Sequence, residues 1–140
     1  MNRLLVLFAL IFSTQAFAGI PPEAIRTTDV KDICTTLTST IRNVPDSVKK
    51  KVFIRDNGNA SHKYEVDHRI ALGSGGANDI SNLKLQDYNG SCNAHDKDKL
   101  EVRLQSLICK NKITVSEAQN YLYNSWEAGY TKYINAKGCK

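Results

Sequence analysis

The chain has 140 residues, 41% of them hydrophobic and 24% charged. That supports one globular domain with a core and excludes disordered, collagen-like and low-complexity architectures. Nineteen Lys and Arg stand against 14 Asp and Glu, a net charge of +5, a modest basic excess that selects no partner by itself.

Residues 1–18 read as a signal peptide: Asn2 and Arg3 open it, Leu4 to Phe12 is apolar, and Ala16-Phe17-Ala18 has the small-x-small form of a cleavage site. The apolar run stops at Ser13, well short of the roughly 20 residues that span a bilayer. Cleavage near Ala18 therefore predicts a secreted or periplasmic protein, 19–140, with no membrane attachment in its mature form. Export in turn favours disulfides among Cys34, Cys92, Cys109 and Cys139. No C-x-x-C pair is present to suggest a structural zinc site, and three pairings are open.

Gly19 to Val30, with Pro21-Pro22, reads as an extended or loosely attached lead-in. From Lys31 to Val44, Ile33, Leu37 and Ile41 recur every four residues and predict one helix. After Pro45, Asp46 or Ser47 is placed to cap a short helix burying Val48, Val52 and Phe53, with Lys49-Lys50-Lys51 as its solvated side. Asn57-Gly58 signals a turn.

Tyr64, Val66, His68, Ile70 and Leu72 then alternate with Glu65, Asp67 and Arg69, the period of a strand. Gly73-Ser74-Gly75-Gly76 reads as a turning connection; it lacks the Gly-Lys-Ser/Thr ending of a phosphate loop. Leu83, Leu85 and Tyr88 mark a second strand, antiparallel to the first. Asn93 caps a helix whose Leu100, Leu104, Leu107 and Ile108 share a face. Thr114-Val115-Ser116-Glu117 is a capping box opening a last helix through Ala118, Leu122, Trp126 and Tyr130. Tyr121, Tyr123 and Tyr133 read with it as core and helix surface, and His62, without a motif partner, as an exposed side chain. The fold class is α+β: helices, a hairpin, then helices.

Asp67-His68-Arg69-Ile70-Ala71-Leu72, Gly75-Gly76-Ala77-Asn78-Asp79, Asn82-Leu83 and Asn93-Ala94-His95 with Lys97-Asp98 together resemble the His-Asn-His (HNH) endonucleases. These have the ββα-metal, or His-Me finger, fold, and the resemblance is closest to small bacterial and phage members. It covers about 64–126, with its motif core at about 64–109.

Phosphodiester hydrolysis needs a base for water and a cation for the leaving oxygen. The resemblance implies His68 as that base and Asn82 as the catalytic-motif residue that holds the loop and orients His68. It implies Asp67 and His95, with Asn93 as a weaker donor, as ligands of one divalent metal: Mg2+ first, with Mn2+, Zn2+ or Ni2+ as alternatives. Arg69, Lys97 and Lys99 are implied as holders of the scissile phosphate. The expected substrate is DNA, with RNA as a second substrate, cut with little sequence preference because no sequence-reading module is visible.

The resemblance, with the proximity of the helices, also pairs Cys34 with Cys109 and Cys92 with Cys139. Ala71 replaces the usual proline, Lys84-Leu85-Gln86 the commoner Trp-Pro-Gln, and Ser91 stands where some relatives carry a metal ligand. The alternative from another class is a non-catalytic secreted binding protein on the same scaffold. A toxin reading would add an immunity protein as partner, but no receptor-binding or translocation segment is visible to support it.

Overall fold

Among the described residues six α-helices and one short hairpin follow one another: α1 Val30–Thr35, α2 Thr38–Ile41, α3 Asp46–Arg55, α4 Ala94–Cys109, α5 Val115–Asn124 and α6 Trp126–Tyr133, with strands β1 Tyr64–His68 and β2 Leu83–Asp87 between α3 and α4. A computed structural model of the chain describes residues 19–59 and 62–140; the expected signal peptide lies outside the described residues. The strands pair antiparallel, Tyr64 opposite Asp87 and His68 opposite Leu83. The architecture is α+β, a small two-stranded sheet among helices.

The core forms where the apolar face of α4 meets α1, α5 and α6. Leu100, Leu104 and Ile108 are sealed by Ile33, Ile70, Ala118, Leu122 and Tyr130. Asn93 caps α4 by accepting from Asp96 N (3.2 Å), and Thr114 caps α5 by accepting from Glu117 N (3.1 Å). Glu117 does not close the capping box; its carboxylate takes Lys132 and the Tyr133 hydroxyl of α6 instead. At α3 the cap position is Pro45, and Asp46 is the first helical residue, paired with Lys49.

Several segments depart from the expectation set by periodicity. The helix expected over 31–44 is two helices, and Leu37 is 71% exposed rather than buried. The Thr35 and Thr36 hydroxyls bond back to Lys31 O and Asp32 Oδ1, and Thr36 is extended (ψ 128°). Side-chain hydroxyls compete there with helix continuation. The last helix breaks at Ser125 (φ −162°, ψ 57°). The break folds α6 back onto α4, so closely that a Cβ at Gly129 would sit 3.1 Å from Leu100 Cδ2.

The lead-in is stitched down, not loose. Arg26 N donates to Gly75 O (2.8 Å), Ala77 N to Ala24 O (3.0 Å), and Ala24 is fully buried. The connection it meets is buried as well. Gly75 has φ +87°, and a Cβ at Gly76 would lie 1.9 Å from Ile70 O, so both positions exclude a side chain.

Cys34 bonds Cys109, tying α1 to the end of α4, and Cys92 bonds Cys139, tying the C-terminal segment to the start of α4. Two disulfides suit an oxidising compartment. Among the described residues no helix is long and apolar enough to cross a membrane. Replacing Cys34 and Cys109 by serine removes a cross-link between residues 75 apart and is expected to cost about 2–4 kcal/mol. Urea unfolding of the double variant against the oxidised parent measures it.

Candidate active site

β1 stops at His68 because the chain beyond it is held by a side chain instead of a neighbouring strand. Asn82, fully buried, accepts from Ile70 N (2.8 Å) and donates to Ile70 O and Ala77 O (both 2.9 Å), while its carbonyl takes Arg69 N (2.6 Å). Ile70, Ala71 and Leu72 are then buried in succession, and the alternation ends. Asn82 thus fixes the loop on which His68 sits, and among the described residues the imidazole's hydrogen bond goes to Asn78 and not to Asn82. Asn82→Ala strands three buried backbone groups and is expected to cost about 2–3 kcal/mol, read as a lower thermal midpoint.

His68 is 2% exposed, and its Nε2 lies 3.0 Å from Asn78 Oδ1. The orientation of that amide is set from both ends: Asn78 Nδ2 donates to Ile41 O (2.7 Å), and Oδ1 accepts from Asn43 N (3.1 Å). An amide oxygen only accepts, so Nε2 carries the proton and Nδ1 the lone pair. Burial holds the imidazole below its ordinary 6.5; the Asn78 bond and Asp67 oppose this, and Arg42 and Lys97 add to it. At neutral pH His68 is therefore an uncharged base with a defined tautomer.

Behind it lies a buried ion cluster. Lys97, 3% exposed, spends all three ammonium protons on Asp67 Oδ2 (2.5 Å), His68 O (2.8 Å) and Glu101 Oε1. Burial alone would lower Lys97, but Glu101 and Asp67 outweigh it and hold it above its ordinary value. Burial pushes Glu101 up to about 7 against the pull of Lys97. Asp67, His68 and Lys97 are thus brought together. Lys97 serves as the counter-ion of Asp67 and the anchor of the β1 end.

The remaining predicted residues are distributed around this cluster. Arg69 bonds Tyr123 O (2.6 and 3.2 Å), its guanidinium 3.8 Å from the Tyr123 ring centre. It shares with Asp67, Lys84, Lys97 and Trp126 a cavity of about 90 Å3. Lys99 is exposed on α4 and paired with Asp96 (3.0 Å). Asn93 is committed to capping and to Gly90 O. His95 is exposed on the first turn of α4, its ring 5.4 Å from that of Tyr88. The Tyr88 hydroxyl donates to Glu65 (2.5 Å), and this bond with the charges of Glu65, Asp98 and Asp67 pushes the phenol up to about 12.

For a metal, the donor chemistry fits sparsely. Among the described residues no three His, Cys, Asp or Glu side chains converge into a cage. Lys97 occupies Oδ2 of Asp67, and no hydrogen bond among the described residues engages Oδ1. One carboxylate oxygen suits a cation such as Mg2+ that keeps most of its waters, the His95 imidazole is a donor that Zn2+ or Ni2+ takes more readily, and the set does not make a four-ligand zinc site.

Two contributors escaped the sequence reading. Glu101 stands four residues after Lys97, the spacing of a helical ion pair, which was a usable signal. Asn78 stands in the Gly75-Gly76-Ala77-Asn78-Asp79 stretch that carries the resemblance, but nothing in the sequence assigns it a role beside His68. The chain matches no protein-family model, no curated protein and no solved structure.

Proposed function

We propose that the protein is a metal-dependent endonuclease of the ββα-metal type, hydrolysing phosphodiester bonds of DNA, and of RNA, with little sequence preference. The observation that carries this reading is the setting of His68: a neutral imidazole with Nε2 tied to Asn78, next in the chain to Asp67, with no hydrogen bond among the described residues to His68 Nδ1 or to Asp67 Oδ1. His68 Nδ1 takes the proton of a water as the oxygen attacks phosphorus. Asn78 holds the ring during that transfer, and Asn82 holds the loop beneath it. A divalent cation carried by Asp67 and His95 would supply charge neutralisation at the leaving oxygen. Arg69, Lys84 and Lys99 supply positive charge around the site, so binding is expected to weaken with salt.

The test is cleavage of supercoiled plasmid and of RNA by the oxidised protein lacking residues 1–18, with Mg2+, Mn2+, Zn2+ or Ni2+ and with EDTA. Cutting with metal that stops in EDTA is the expected result; no cutting with any of them overturns the reading. A second reading, a binding protein without catalysis, is favoured by the 2% exposure of His68. In that reading the imidazole is a core group bridging β1 to the 41–43 segment through Asn78.

A further inference from the structure

The face of the hairpin that carries Tyr64, Val66 and Leu85 is only half covered. Helix α3 lies beside it, clamped by Arg55 to Ile80 O and Leu83 O and by Asp56 to Leu85 N (2.9 Å). Between them runs an open groove of about 670 Å3. Its cations are Lys49 and Lys50 on α3 and Lys63 ahead of β1; its rings are Phe53, Tyr64 and Tyr88; its floor is Val66 and Leu85.

The rings are held in place. Phe53 packs onto Gly58, where a Cβ would come within 2.4 Å of it, and meets Tyr64 edge-on at 6.3 Å. His62 stacks on Tyr64 at 5.8 Å. The acidic groups at the rim are engaged: Asp46 pairs with Lys49, Glu65 accepts from the Tyr88 hydroxyl, and Asp87 lies 3.0 Å from His62. Lys50 and Lys63 have no ion pair among the described residues, and no Asp or Glu lines the groove.

We propose that this groove binds an unpaired nucleic-acid strand, its phosphates on Lys50 and Lys63 and its bases against Tyr64, Phe53 and Tyr88, and leads it toward His68. Free ammonium groups interleaved with aromatic faces match a strand whose bases are exposed. A duplex keeps its bases stacked inside and offers these rings nothing. Alternation along β1 puts Val66 and His68 on the same face about 7 Å apart. The direction of the strand toward His68 rests on the nuclease reading; the binding itself is read without catalysis.

The experiment is fluorescence anisotropy in EDTA, using the oxidised protein lacking residues 1–18 with labelled oligo(dT), oligo(U) and a DNA duplex of equal length. At one salt concentration a single strand, of DNA or RNA, is expected to bind at least about tenfold more tightly than the duplex. Lys50→Ala/Lys63→Ala lowers the slope of log affinity against log salt by about 1.4, since each single-strand phosphate contact contributes about 0.7. Tyr64→Leu weakens binding about 5- to 150-fold while Tyr64→Phe, which keeps the ring, binds as the parent does.

A duplex bound as tightly as either single strand overturns the proposal, as do parental affinities in the lysine and leucine variants with unchanged near-UV circular dichroism. The two readings fail separately. If the parent cuts with metal and the groove variants bind unchanged, the groove falls and the nuclease stands. If the groove variants lose the strand and the parent cuts nothing, the groove stands as a binding site and the nuclease reading falls.

Discussion

His68→Ala is expected to lower metal-dependent cleavage by a factor of about 10²–10⁴, the range a positioned general base supplies. His68→Gln separates chemistry from packing, because its amide can still donate to Asn78 Oδ1 while offering no base. A folded His68→Gln protein without cleavage supports the catalytic role. Full cleavage by either variant would remove His68 from the reaction, and lost stability in a protein whose parent never cuts would favour a purely structural imidazole.

The pH profile adds an independent check. Since burial holds His68 below 6.5, the rate should rise with pH along a limb whose midpoint lies below that of an ordinary histidine, then level off. Stability follows the same sign. Between the lowered native value and 6.5 the unfolded chain binds the extra proton, so this group's contribution is complete above 6.5 and is lost as pH falls through that window. A cleavage limb at or above 6.5 would contradict the neutral, buried base.

How much of this was legible in the sequence varies with how local the cause is. The hairpin was visible because Tyr64, Val66 and His68 alternate against Leu83 and Leu85, and α4 because a cap and an apolar stripe coincide at Asn93 and Leu100, Leu104, Ile108. The cysteine pairing came from resemblance and not from spacing, which left three pairings open. What was missed depends on contacts distant in sequence. Nothing near Leu72 says that Asn82 will grip Ile70 and end the strand, and nothing near Pro21 says that the lead-in will bond Gly75. Within the site, His68 and Asp67 are readable as a pair from their adjacency, while nothing around Lys97 in the sequence marks it as buried. Its burial between two carboxylates follows from how α4 lies against the end of β1.

That burial sets the largest stability effect expected of a single side chain. Lys97→Met removes the only cation among three charged groups and leaves Asp67 and Glu101, 15% and 19% exposed, facing each other across an apolar gap. Breaking a buried pair from one side costs about 3–5 kcal/mol, and the thermal midpoint should fall by roughly 10–20 °C for a domain of this size. The loss should shrink on acidification, because protonating either carboxylate removes the repulsion that Lys97 had balanced.

The parent has its own signature from the same cluster. With Glu101 raised to about 7 from 4.5, the native state keeps a proton that the unfolded chain has released. This group's contribution is therefore full below 4.5 and is lost as pH rises through about 7. Glu101→Gln removes that dependence, and in the Lys97→Met background it restores part of the loss. Denaturant titrations of the four proteins at pH 5 and pH 8 test the whole scheme. A Lys97→Met protein as stable as the parent at pH 8 would mean that the three charges do not form one cluster in solution.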